Sequence, residues 1–149
     1  MASDATIEKA AGVSCPSVRP GGRGFAARRQ AATIPGRQQG LPIDHAHLDR
    51  YTLGNLELER EVLALFAGEA PRTLERIREA AAAQPPCAQA WQAACHTLKG
   101  SARAVGAWPL AEAAEAAERQ TAPGVEEAEA PLRAIEAALA EVLAHIAAY

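Results

Sequence analysis

Large rings are scarce in this chain of 149 residues: two Trp, two Tyr and two Phe make up 4% of it. Methionine occurs once. The three cysteines, Cys15, Cys87 and Cys95, are an odd number without metal-ligand spacing. That argues against a disulfide framework or a zinc site and reads as free thiols in a reducing compartment. No apolar run approaches the roughly 18 to 20 residues of a membrane span. No basic start followed by an apolar stretch marks a secretory signal. A glycine-rich phosphate loop is missing too, because Gly21-Gly22-Arg23-Gly24 has neither the spacing nor the flanking strand. ATP binding and independent kinase activity are therefore not expected. These absences set aside a multidomain kinase, a membrane receptor and a disulfide scaffold.

What the chain has in quantity is alanine, about a quarter of all residues. Alanine has the best helix propensity and little preference for strands, so the mix builds close-packed helices. Charge is divided unevenly. Residues 1–40 carry six Lys/Arg against Asp4 and Glu8, a net +4; residues 41–149 carry a net −7. An acidic main domain argues against nucleic acid as partner. Between Pro16 and Gly40 lie eight prolines and glycines among arginines. Such a segment buries too little apolar surface to offset chain entropy. Residues 1–40 are expected to form a disordered basic tail and residues 41–149 one domain.

Within that domain the apolar spacing is helical throughout. Asp44 suits the N-cap of a short helix over 45–52, and Asn55 that of the next. Leu63, Phe66, Ala70, Leu74, Ile77 and Ala81 fall in steps of three and four, one stripe of an amphipathic helix. Pro71 interrupts it and predicts a kink near 67–71 or two abutting helices. A third helix, about 86–105, has the stripe Trp91, Ala94, Leu98, Ala102, Val105. Gly106 ends it, and Pro109 opens a fourth, about 109–121. The last, about 126–148, carries Leu132, Ile135, Leu139, Val142 and Ile146. With no alternating strand pattern, the expected class is all-α: an antiparallel up-down-up-down four-helix bundle with a short extra N-terminal helix.

Projection of the third helix puts Gln89, Gln92, His96, Lys99 and Arg103 on the face opposite Trp91, Leu98 and Val105. His96 is thus expected in solvent, where a lone histidine is more often a core residue. Gly100 follows four residues later. A helix-interior glycine costs about 1 kcal/mol relative to alanine. Helical side chains lean toward the N-terminus, so any side chain at 100 would lie over the His96 ring. Glycine clears that space. Lys99 and Arg103 add cationic donors on the same face. A nucleophilic imidazole, open access and positive charge suit acceptance of an anionic group such as a phosphoryl.

The run His96-Thr97-Leu98-Lys99-Gly100-Ser101-Ala102-Arg103-Ala104-Val105-Gly106 resembles the signature of histidine-containing phosphotransfer (HPt) domains. Ile43-Asp44 with Leu48, Leu63 through Leu74, and Leu110 through Arg119 resemble the flanking helices, so the likeness spans about residues 43–146. It implies a phosphorelay intermediate in a two-component system. His96 would be the phosphoacceptor through Nε2. Lys99 and Arg103 would offset phosphoryl charge, and Gly100 would give access. Glu118 matches a position that in some relatives hydrogen-bonds the histidine ring, though many carry an amide there. Implied partners are response-regulator receiver domains and a hybrid histidine kinase. A divalent metal is expected on the receiver and no cofactor in this chain. A cytoplasmic monomer without nucleic-acid or membrane binding completes the expectation. Ala93, Ala104 and Ala107 are candidates for the docking flank. The alternatives are a non-phosphorylated adaptor that binds or sequesters a receiver, and the detached phosphoacceptor domain of a chemotaxis-type kinase.

Other histidines draw ordinary readings. His45 and His47, two residues apart, point to different sides of a helix and make a poor metal pair. His145 falls in the last turn of the last helix, where a cation meets the negative end of the dipole. No haem-attachment pattern surrounds Cys95, and the ferritin-like Glu-x-x-His motif is absent.

Overall fold

The computed structural model describes residues 40–120 and 123–149. Among the described residues there are five α-helices and no strand. The expected basic tail lies outside them except for Gly40.

Helix α1 (His45–Thr52) is capped as expected: Asp44 Oδ1 accepts from the His47 amide at 3.1 Å. It closes on Leu53, which takes the left-handed conformation at φ 54°. Helix α2 (Leu56–Ala82) starts at Asn55, whose side chain accepts from the amides of Glu57 and Leu58. It runs unbroken through Pro71, which excludes two abutting helices. Proline inside a helix costs about 3 kcal/mol. Leu63, Phe66 and Ala70 before it and Leu74 and Ile77 after it are all buried, and continuous packing of that stripe outweighs the cost.

Helices α3 (Ala88–Ala104), α4 (Trp108–Glu118) and α5 (Val125–Ala148) lie within about three residues of their expected limits. Helix α2 packs on α3, α3 on α4, α4 on α5 and α5 back on α2, while α1 packs on α2. Trp91, Leu98, Leu110, Ile77, Leu63 and Ile135 fill the centre. No described helix is long and apolar enough to cross a membrane.

Two features of this packing position the site. The inner face of α4 is Leu110 with Ala111, Ala114 and Ala117, all fully buried. Methyl groups let α3 approach closely, so the rims of the two helices come within reach of one another. The buried Trp91 indole then ties them together, donating from Nε1 to the Ala117 carbonyl at 2.9 Å. That carbonyl also accepts from the Gln120 amide at 3.0 Å, so the indole shares the acceptor that closes the end of α4.

The turn between α3 and α4 is equally constrained. Gly106 has φ 75°, and a Cβ there would stand 2.9 Å from the Asp44 carbonyl oxygen. Only glycine fits both the dihedral and the contact. The Asp44 amide donates to the Gly106 carbonyl at 3.0 Å, and Trp108 Nε1 donates to Asp44 Oδ2 at 3.2 Å. The start of α1 is thus seated on the α3–α4 turn.

Two expectations need correction. Ala107 is fully buried and cannot belong to a docking flank, whereas Ala93 and Ala104 are exposed. The turn to α4 carries Ala107 inward, which a straight helical projection cannot anticipate. Cys95 is a buried free thiol, but Cys87 is disulfide-bonded, so the reading of three free thiols fails there. An odd count leaves room for one pair, and spacing alone is silent about it. Cys15 lies outside the described residues.

Candidate functional site

Helix α3 separates its faces sharply. Trp91, Ala94, Cys95, Leu98 and Ala102 are buried, while Gln92, His96, Gly100 and Arg103 are exposed. Hydroxyl groups on the outer half are satisfied within the helix itself. Thr97 Oγ1 donates to the Ala93 carbonyl at 2.9 Å and Ser101 Oγ to that of Leu98 at 3.0 Å. They do not compete for His96.

The His96 side chain is 70% exposed. Its Nδ1 lies 2.7 Å from Glu118 Oε1 on the last turn of α4. With the carboxylate ionised, Nδ1 carries the proton and donates it, and Nε2 is left with its lone pair. Among the described residues Nε2 has no protein partner. Lys99 Nζ donates to the other carboxylate oxygen, Glu118 Oε2. One carboxylate therefore holds the imidazole and the ammonium side by side. The Lys99 hydrogen bond is the main cause that holds the Glu118 carboxyl below its ordinary 4.5; the His96 hydrogen bond acts the same way and burial opposes it. The neighbouring Cys95 thiol is pushed up to about 12, first by burial and then by the Glu118 charge, which leaves it a protonated, inert part of the core.

One turn further on, Arg103 pairs with Glu115 at 3.4 Å, and Arg119 reaches the same oxygen at 3.5 Å. The two cations read from the sequence are thus held by two acids three residues apart on α4. Glu118 is where the resemblance placed it. Glu115 was missed, although its i, i+3 spacing to Glu118 gives the same helix face.

A Cβ built at Gly100 would meet nothing within 4 Å. Internal packing therefore does not require glycine there, and the space it leaves is open. Gly68 on α2 has equally open surroundings, so openness alone marks no site. At Gly100 it coincides with an exposed imidazole four residues earlier.

Fold and site together define a helical bundle presenting a carboxylate-backed, solvent-facing histidine on one helix rim. The Hpt domain family model matches residues 61–147, and the chain belongs to that family. Members are helical bundles that serve histidine phosphotransfer in two-component systems, generally without kinase activity, and interact with response-regulator receiver domains. No curated protein and no solved structure matches the chain. The family match begins inside α2, so α1 and its likeness at Ile43, Asp44 and Leu48 fall outside it.

Proposed function

We propose that this protein is a phosphorelay intermediate. His96 takes a phosphoryl group from the aspartate of one receiver domain and passes it to the aspartate of another. The observation that carries the reading is the exposed His96 ring, bonded at Nδ1 to Glu118 and open at Nε2 beside Gly100.

In the forward step the Nε2 lone pair attacks phosphorus in line with the departing aspartyl oxygen. The N–P bond forms, the P–O bond breaks, and the carboxylate returns to the donor. Because Nδ1 keeps its proton, the phosphorylated ring is cationic, and the Glu118 charge faces that cation. Lys99 is close enough to exchange one Glu118 oxygen for a phosphoryl oxygen. Arg103 extends the positive rim. Gly100 leaves the approach clear. Positioning and charge neutralisation are what such a transfer demands of the protein. The divalent metal of this chemistry comes with the receiver, and we assign no cofactor to this chain. Short connections between consecutive helices favour the antiparallel up-down-up-down arrangement. A cytoplasmic, monomeric carrier that draws its phosphoryl from a hybrid kinase belongs to the same reading.

Incubation with a radiolabelled phosphoreceiver tests it. Wild-type protein should take up label that is stable in base and labile in acid, and His96→Gln should take up none. Tight receiver binding without label would make the protein an adaptor. Label that appears only with a separate kinase chain and ATP would make it the acceptor domain of a split kinase.

A further inference from the structure

The two histidines at opposite ends of the domain sequence meet in space. His45, the first residue of α1, and His145, in the last turn of α5, bring their Nε2 atoms to 2.8 Å. On its other side His45 Nδ1 lies 2.5 Å from Glu59 Oε1. Glu59 belongs to α2 and is 1% exposed. The Tyr149 ring stacks on His45 with centroids 4.6 Å apart, and burial together with the nearby Glu59 charge raises the Tyr149 hydroxyl above its ordinary range. Arg60 on α2 lies over the Tyr149 ring at 6.0 Å, and Asp49 on α1 acts on the Tyr149 hydroxyl through its charge. Glu59, Arg60 and Asp49 thus bring charge to the surroundings of the pair from α1 and α2. A metal does not explain the contact. Two bonds of about 2.0 to 2.1 Å in a tetrahedral site spread the nitrogens beyond 3 Å, and no group of three or more His, Cys, Asp or Glu among the described residues is arranged to hold an ion.

A shared proton does explain it. Glu59 accepts a hydrogen bond from His45 Nδ1–H, so His45 Nε2 offers a lone pair, and His145 Nε2–H donates to it. One further proton on the pair leaves this bond intact, because His145 can take it on Nδ1. A second cannot be absorbed: both Nε2 atoms then carry hydrogen, neither accepts, and two cations face each other. We propose that this contact is a proton-operated latch that fastens the start of α1 to the end of α5 and opens on acidification. Opening needs the second proton, which the pair can take only by giving up the bond between its Nε2 atoms. The charged ends of the helices add to the asymmetry. The positive N-terminus of α1 disfavours a cation at His45, and the negative C-terminus of α5 favours one at His145. The latch involves α1, which lies outside the span matched by the family, and it stands apart from the phosphotransfer reading.

Amide hydrogen exchange of the full chain at pH 7.5 and 5.0, expressed as protection factors, tests it. In the wild type, residues 45–52 and 143–149 should lose about tenfold protection together on acidification, while α3 and α4 keep theirs. His145→Gln retains a donor toward His45 but cannot become charged, so its protection should not change with pH. A wild type without the step would overturn the latch. So would a step of equal size in His145→Gln, which would trace it to Glu59 or another carboxylate. Should His145→Gln loosen both segments already at pH 7.5, the imidazole ¹⁵N shifts of the wild type decide. Coupled two-step titration of both Nε2 atoms supports the latch, and independent single-step curves refute it.

Discussion

Two histidines of this molecule have the same support and opposite surroundings. His96 and His45 each present Nδ1 to a glutamate of a neighbouring helix, at 2.7 Å and 2.5 Å. Behind His45 the carboxylate is sealed in the core, and its Nε2 is met by His145. Behind His96 the carboxylate sits at the rim and also holds a lysine, and Nε2 has no partner among the described residues. The lesson is that a carboxylate behind an imidazole fixes a tautomer in both places and defines a function in neither. What the outward nitrogen can reach makes the difference: a second ring in one case, an incoming partner in the other.

If access is the distinction, closing it should have the largest effect. Gly100→Gln places a flexible side chain over His96 and should slow transfer from a phosphoreceiver about a hundredfold. The same change should leave stability unchanged or raise it by up to about 0.5 kcal/mol, since glutamine is the better helix former and a Cβ there meets no neighbour. Rapid-quench transfer assays and thermal melts of one preparation separate the two effects. Transfer at the wild-type rate would show that access does not distinguish the two rings.

Removing the charge behind each ring comes next. Glu118→Gln should slow transfer about tenfold, while Glu59→Gln should leave it unchanged. Equal losses would erase the contrast between the two sites. Stability adds a pH test. Glu118 is held below its ordinary 4.5 in the folded protein. A depressed folded value means that its stabilisation is present above the unfolded value and is lost as pH falls through the folded one. The melting temperatures of wild type and Glu118→Gln should therefore differ at pH 7, begin to approach each other near pH 4.5 and meet only below the folded value. A separation that stays constant from pH 7 into the acid range would point to hydrogen bonding, not charge, as the contribution of Glu118.

The local features of the fold were readable from local sequence, and the meetings between helices largely were not. Caps at Asp44 and Asn55, the Gly106 stop and the stripes of α2, α3 and α5 depend on residues within a few positions of one another, and spacing reveals them. The exposure of His96 came from the phase of α3 alone. Glu118 was reached through the family likeness, because no periodicity links it to a residue 22 positions away. His45 and His145 stand 100 positions apart and drew separate, ordinary explanations. Trp91 was read as core, correctly, but its bond to the Ala117 carbonyl depends on how two helix ends align. The disulfide at Cys87 and the burial of Ala107 escaped for the same reason. Each is decided by where the chain returns, not by what stands beside it in sequence.

The smallest expected effects separate the two cations of the rim. The Lys99 side chain is only 14% exposed and shares Glu118 with His96. Arg103 is 48% exposed and meets Glu115 at 3.4 Å, in competition with Arg119. An exposed pair of that kind contributes under about 1 kcal/mol. Lys99→Ala should slow transfer several-fold and shorten the lifetime of the phosphorylated form, because the donor nearest the phosphoryl is gone. Arg103→Ala should change either quantity by less than about twofold. Parallel measurement of transfer rate and hydrolysis half-life ranks them. If Arg103→Ala proves the more damaging, the phosphoryl group lies one turn further along α3 than His96 and Glu118 indicate. Glu115, with its two arginines, would then be the carboxylate that organises the site.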